Sequence, residues 1–441
     1  MPRRVIAVQI VNVSASKPQP GQALVVPSWK HVGFFHMATG SLPLSALFHC
    51  DQMLALSHTD EDIFRAISSI GQLYASRMGL ESFSKRQVHP RTSLIADKRI
   101  CEDRMRRPSK GSAMGCLPFA MILAIAELLL DDSADNWRGW IEKVFNYIGP
   151  NLHDLTGITA LEEDLLRFWQ LNNVLGSFAR PEKPLGSDFS RSLSSRHDGA
   201  ASAFSAAYDH LLSVLWRVSD LQKRIFDWTS DVTQGPDHQS SVNDTVRGLG
   251  IVSEISGMQQ EVLDVVLGTS TAEASVSDSL EPFYRWALLG TSQLMQQHAN
   301  LQALECTLPI LPQDLARDQS IAILNDIERL VTKPTLDIAF FLPLMETVHL
   351  SPLGDDSRPR VAILLDRAES CGFGVAKALR DHVECLLVCG TAHDRSQMQG
   401  IDHASHHLLS WVNPAVQCND GVGSSHDALP PLLQNCGCRR C

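Results

Sequence analysis

Apolar residues recur along most of this chain with the three-to-four-residue spacing of one helix face and seldom alternate as strands do. From residue 59 the period is plainly helical. Ile63, Ile67, Ile70 and Tyr74 share a face, Thr59 and Asp60 stand where a helix is capped, and Gly79 lies near its end. Residues 117–130, LPFAMILAIAELLL, form an apolar run of 14 residues holding Glu127. A membrane span needs about 20 residues, so this run predicts a helix buried in protein. In the next segment, DDSADNWRGWIEKVFNYIGPNL (131–152), Trp137, Trp140, Ile141, Val144, Phe145 and Ile148 make one continuous stripe. Asp135 or Asn136 supplies an N-cap, and Gly149-Pro150 stops the helix. A one-sided stripe of this kind reads as core rather than as a ligand platform, with Tyr147 at its edge.

Another helix carries Leu161, Leu165, Phe168, Trp169 and Leu175 and ends at ARPEKP. A polar loop follows over 180–200. Phe204, Tyr208, Leu211, Leu215, Val218, Gln222 and Ile225 then repeat with the alternating spacing of a coiled-coil seam, here predicting an intramolecular bundle. TSDVTQGPDHQSSVNDT (229–245) reads as a second polar loop. Further helices are expected at 251–267, 281–304 and 319–332, and across 335–349 with a kink at Pro343. The pattern predicts an all-α fold, a multi-helix array of packed antiparallel helices. Residues 1–56, punctuated by Pro and Gly, are expected to be irregular, wrapping the surface or forming a few short elements, 57–412 to form the helical domain, and 413–441 to be a flexible tail.

Composition narrows the function classes. The chain has 441 residues, 44% of them hydrophobic and 20% charged, which excludes wholesale disorder. A net charge of −11 argues against a free-standing nucleic-acid binder. The opening MPRRVIAVQIVNVSAS has too short an apolar run for a signal peptide, and no membrane contact is expected. Eleven irregularly spaced cysteines do not make a secreted disulfide framework, so a reducing compartment, cytosol or nucleus, is expected.

Candidate chemistry is thin. Segment 358–394 can be read as strand, glycine turn, helix and strand, with Gly372 and Gly374 opening a nucleotide-binding unit. Lys377 stands where the fingerprint needs a third glycine, and two helices joined near Gly372 fit better. His403, His406 and His407 are spaced to face one way on a helix and bind a metal, although such clusters are more often solvated. Cys436, Cys438 and Cys441 resemble part of a zinc or copper site without an adjacent fourth ligand. Segment 84–110 holds nine Lys and Arg against three Asp and Glu, including the doublets Lys98-Arg99 and Arg106-Arg107. It reads as a nuclear import signal or phosphate-facing patch, or as a solvated loop between helices. No catalytic, cofactor-binding or metal-binding residue is assigned, and no enzyme activity is expected.

The order FRAISSIGQLYASRMG, CLPFAMILAIAELLLDDSADNWRGWIEKVFNYIGP, LEEDLLRFWQLNNVLGSFARPEKP resembles the regulatory domain of fungal-specific transcription factors. In that family a long apolar helix ending in an acidic stretch precedes a Trp-bearing helix closed by Gly-Pro. AESCGFGVAKALRDHV is similar to one of its C-terminal helices, and the likeness covers roughly 60–412. It implies an all-helical regulatory region, nuclear location and control of metabolic or natural-product gene clusters. The implied partners are proteins of the transcription machinery and a small-molecule effector, with DNA reached only indirectly or through an N-terminal finger. Family members usually begin with a binuclear zinc cluster held by six cysteines, whereas here no cysteine precedes Cys50. Three accounts stay open: a finger missing through a truncated gene sequence, a finger-less regulator acting through a partner, or the fold turned to another task. The alternative function is a helical enzyme or nucleotide- or cofactor-binding protein using Gly372–Gly374.

Overall fold

The computed structural model of the protein describes residues 29–39, 48–80, 90–107, 114–130, 134–152, 158–178, 183–186, 203–234, 242–266, 280–302, 313–331, 341–342, 344–345, 348, 358–370, 376–377 and 380. They form twelve helices and, among the described residues, no strand. The all-α expectation therefore holds.

Two short helices lie in the N-terminal segment expected to be irregular or to hold a few short elements: α1, Trp29–Thr39, and α2, Cys50–Ser57. Val32, Phe35 and Ala38 of α1 are buried, but three positions in a short helix make too brief a stripe to stand out as a period. Helix α3, Glu61–Arg77, begins at Asp60, whose carboxylate accepts hydrogen bonds from the Asp62 and Ile63 N–H groups at 3.0 and 3.3 Å. Helix α1 lies close against α3. A Cβ added to Gly71 of α3 would stand 1.8 Å from the His31 carbonyl oxygen, so only glycine permits this approach.

Within the basic segment, residues 90–106 form helix α4, Pro90–Arg106, rather than a loop. Helices α5, Leu117–Leu130, α6, Ala134–Ile148, and α7, Ala160–Phe178, follow, and a 3₁₀ turn over Gly149–Asn151 ends α6 as the Gly-Pro pair requires. Helix α6 starts at Ala134, which places Asp135 and Asn136 inside its first turn rather than at the cap. Helix α5 has no solvent face and is packed by α3, α4, α6 and α7. The tryptophan stripe closes against it. Trp137 and Trp140 are buried, the Trp140 indole N–H donates to the Ala120 carbonyl at 2.9 Å, and the Trp169 indole donates to the Ile141 carbonyl at 3.2 Å. Half-buried Phe145 stacks on Trp169 with ring centroids 5.8 Å apart. The aromatic concentration is the seam of a core.

Beyond it run α8, Ala203–Gln234, α9, Val242–Val266, α10, Glu281–Gln302, α11, Gln313–Leu330, and α12, Arg358–Ser370. Tyr208, Leu211, Leu215, Val218, Gln222 and Ile225 are all buried, and α8 packs on α7, α9 and α10. The polar loop expected over 229–245 is shorter than its composition suggested, because α8 continues to Gln234 and α9 begins at Val242. Ser, Thr and Asp are only mildly unfavourable inside a helix and do not by themselves stop one; in the sequence the Gly235-Pro236 pair follows its last residue. Helix α12 lies where the nucleotide-binding reading needed a strand. One apolar cluster runs through residues of every helix from α1 to α12.

The glycine contact gives a stability prediction. Gly71→Ala forces α1 off α3 and lowers stability by about 3 kcal/mol, as a reduced urea midpoint at unchanged slope. Gly139→Ala in α6, where an added Cβ meets nothing within 4 Å, leaves that midpoint unchanged or slightly raised.

Candidate functional site

The polar chemistry of the interior is concentrated on α7. Its first turn carries Glu162 and Glu163, Asp164 comes next, and Arg167 follows with only 2% of its surface exposed. The guanidinium grips Asp209 of α8 through Nε at 2.7 Å and Nη2 at 3.1 Å. It also donates to Asp164 through Nη1 and to Glu163 through Nη2, both at 2.9 Å. Burial works against the charge, but the hydrogen bonds and attraction of Asp209, with the fields of Glu163 and Asp164, raise the guanidinium's pKa above its ordinary value. The planar fork satisfies one carboxylate bidentately and still has donors for two more, a geometry that lysine cannot reproduce.

This hub extends in two directions. Towards the N-terminus, Asp164 meets the imidazole Nε2 of His49, the residue that starts α2. His49 adopts left-handed backbone angles, φ 47° and ψ 55°, which disfavour a residue with a Cβ by about 1–2 kcal/mol. Its carbonyl accepts from the N–H groups of Gln52 and Met53 at 2.8 and 2.9 Å, so the strained residue opens α2 and aims its ring at α7. Towards the C-terminus, the residue after Asp209 is His210, whose Nε2 donates to Glu261 of α9 at 3.0 Å and whose Nδ1 lies 2.8 Å from the Tyr284 hydroxyl of α10. Arg217 donates to the other Glu261 oxygen at 2.8 Å, and Tyr284 donates to the Ala207 carbonyl at 2.9 Å. The hydrogen bond from His210, aided by Arg217 and opposed by burial, pulls the Glu261 carboxyl down to about 2. Polar side chains thus link the start of α2 through α7 and α8 to α9 and α10.

A third buried group lies one helical turn beyond Arg167. Gln170 is fully buried, and among the described residues neither its amide oxygen nor its amide nitrogen has a hydrogen-bond partner. Leaving such a group unpaired costs on the order of 1–3 kcal/mol. Farther along, Asn173 is held on both sides. Its side-chain oxygen accepts from Arg138 of α6 at 3.1 Å and from the Leu185 N–H at 3.0 Å, and its amide donates to the Leu185 carbonyl at 3.0 Å.

No protein-family profile, curated protein or solved structure matches the chain.

The residues singled out from the sequence fall into different places. Trp137, Trp140, Ile141, Val144 and Ile148 are core, and Tyr147 is buried with its hydroxyl accepting from the Cys116 N–H at 3.1 Å. In the basic segment, Lys98 pairs with buried Glu127 at 2.9 Å, and Arg104 clasps the α3 cap through Asp60 at 2.6 Å and through Asp62. Burial pushes the Asp60 carboxyl up, but the Arg104 and backbone hydrogen bonds outweigh it and hold it below the ordinary range. Arg99, Arg106 and Arg107 are exposed. Lys377 is helical and exposed, while Gly372, Gly374, His403, His406, His407, Cys436, Cys438 and Cys441 lie outside the described residues. Among the described residues no three or more His, Cys, Asp and Glu are grouped as metal ligands would be, and no helix is long and apolar enough to cross a membrane.

Two measurements check the network. Arg167→Met leaves three carboxylates facing an uncharged side chain and lowers stability by about 3–5 kcal/mol, read from urea unfolding at neutral pH. Glu261 has a folded pKa depressed from 4.5 to about 2. Its contribution is therefore complete above pH 4.5 and disappears as the pH falls towards 2. Glu261→Gln removes that part of the acid sensitivity, so the variant's Tm falls less steeply than the wild type's across this window.

Proposed function

We propose that the chain is a helical regulatory protein of the fungal transcription-factor kind, acting in the nucleus on metabolic or natural-product gene clusters. In this reading it does no chemistry of its own. It works through proteins of the transcription machinery and responds to a small-molecule effector, and it reaches DNA through a partner or through a zinc finger carried elsewhere.

The observation that carries the proposal is the packing of α5, α6 and α7. The apolar helix, the Trp-bearing helix closed by Gly-Pro, and the Leu/Phe/Trp helix follow the order that the family resemblance implies, and they pack together as one core. The all-helical fold agrees with a regulatory domain of this kind. The polar links through α7 and α8 supply a physical means of response. An effector that binds one arrangement of these helices more tightly than another shifts the population between them by its differential affinity.

Gene deletion followed by transcript profiling tests the proposal. Expression of a clustered set of genes changes in the deletion strain, and the wild-type chain restores it. Unchanged transcripts accompanied by the loss of a single metabolite would contradict the regulatory reading and favour an enzyme.

A further inference from the structure

Cys101, on the last turns of α4, and Cys116, just before α5, place their Sγ atoms 3.6 Å apart inside the protein. Cys101 is fully buried, and Cys116 retains 9% exposure. Fixed elements hold the two thiols together. The backbone N–H of Cys116 is bound by the Tyr147 hydroxyl of α6, and Arg104, one turn past Cys101, is anchored to the Asp60 and Asp62 carboxylates of α3. Bond formation needs the sulfur atoms to approach from 3.6 Å to about 2.05 Å, a movement that side-chain rotation and a small shift of the α4 end can supply.

We propose that Cys101 and Cys116 are a modification site, a dithiol that peroxide converts to an intramolecular disulfide between α4 and α5. This goes beyond the regulatory reading and does not depend on it.

The electrostatics assign the roles. The Cys101 hydrogen bond and the positive charge of Arg104 pull the Cys116 thiol below its ordinary pKa despite burial. The same pairing, followed by burial, pushes Cys101 up. Cys116 is also the more exposed of the two, so it is the attacking thiolate. Its sulfur attacks one oxygen of hydrogen peroxide, the O–O bond breaks, and the departing hydroxide takes up a proton to leave as water, giving a sulfenic acid on Cys116. Cys101 then loses its proton and attacks the Cys116 sulfur. The S–O bond breaks, and the second hydroxide leaves as water with that proton. In sum, two thiols and one peroxide give one disulfide and two waters, with both sulfurs oxidised and the peroxide oxygens reduced.

The full chain, freshly reduced, is exposed to hydrogen peroxide at neutral pH, alkylated and digested with trypsin. Tryptic peptides 100–104 and 111–138 each contain one cysteine, so the expected product is a single cross-linked species of these two, two hydrogens lighter than their sum. It disappears on treatment with dithiothreitol, and the oxidised protein melts a few degrees higher because the cross-link restricts the unfolded chain. With Cys101→Ala, Cys116 stops at a sulfenic acid that dimedone captures. The proposal is overturned if peroxide drives Cys116 to sulfinic acid while Cys101 stays alkylatable, if Cys116 pairs instead with another cysteine, or if oxidation lowers the Tm.

Discussion

The position of α7 rests on a charge that cannot reach water. Arg167 is enclosed between α7 and α8, and removing a guanidinium from solvent costs several kcal/mol unless carboxylates surround it with good geometry. Three carboxylates do so. Asp209 is the one that comes from another helix, which fixes how α7 and α8 may slide or rotate against each other. Apolar contacts alone would tolerate several registers of two leucine-rich helices. A buried fork with one acceptable set of acceptors tolerates far fewer, and the other helices pack on the pair so aligned.

Three consecutive residues of α8 face different neighbours as a result. Tyr208 lies in the core, Asp209 faces α7, and His210 faces α9 and α10. A rotation of α8 that improved one contact would weaken the other two. Packed interiors respond to such conflicts by moving between discrete arrangements rather than by bending smoothly. Here that discreteness comes from hydrogen-bond geometry.

Much of the fold was legible because its signals are local. The stripe on α6 and the seam on α8 each repeat over enough turns to declare a helix and its buried side, and Gly149-Pro150 ends α6 where the sequence said it would. Helix α1 is harder to read because its stripe is brief and its packing depends on Gly71, some 40 positions away. The end of α8 and the start of α9 are hard to read because their polar composition resembles that of a loop. The site was the least legible part. Arg167 looks like an ordinary solvent-facing charge in LEEDLLRFWQLNN, and its partner Asp209 lies 42 residues on. A signal was present nevertheless. From Phe168 to the end of α7 no charged residue occurs, so that part of the helix has no ionic face to turn towards water. Cys101 and Cys116 carry no motif spacing, and the packing of α4 against α5 brings them together.

Helix α5 has a consequence for how the molecule opens. Its neighbours α3, α4, α6 and α7 cover it on every side, so no local fraying at the surface exposes its backbone amides to solvent. Proton exchange at those amides must wait for the enclosing helices to separate, an event close in free energy to complete unfolding. The most apolar segment of the chain therefore serves as its slowest clock, reporting the lifetime of the whole fold while the outer helices open and close many times around it.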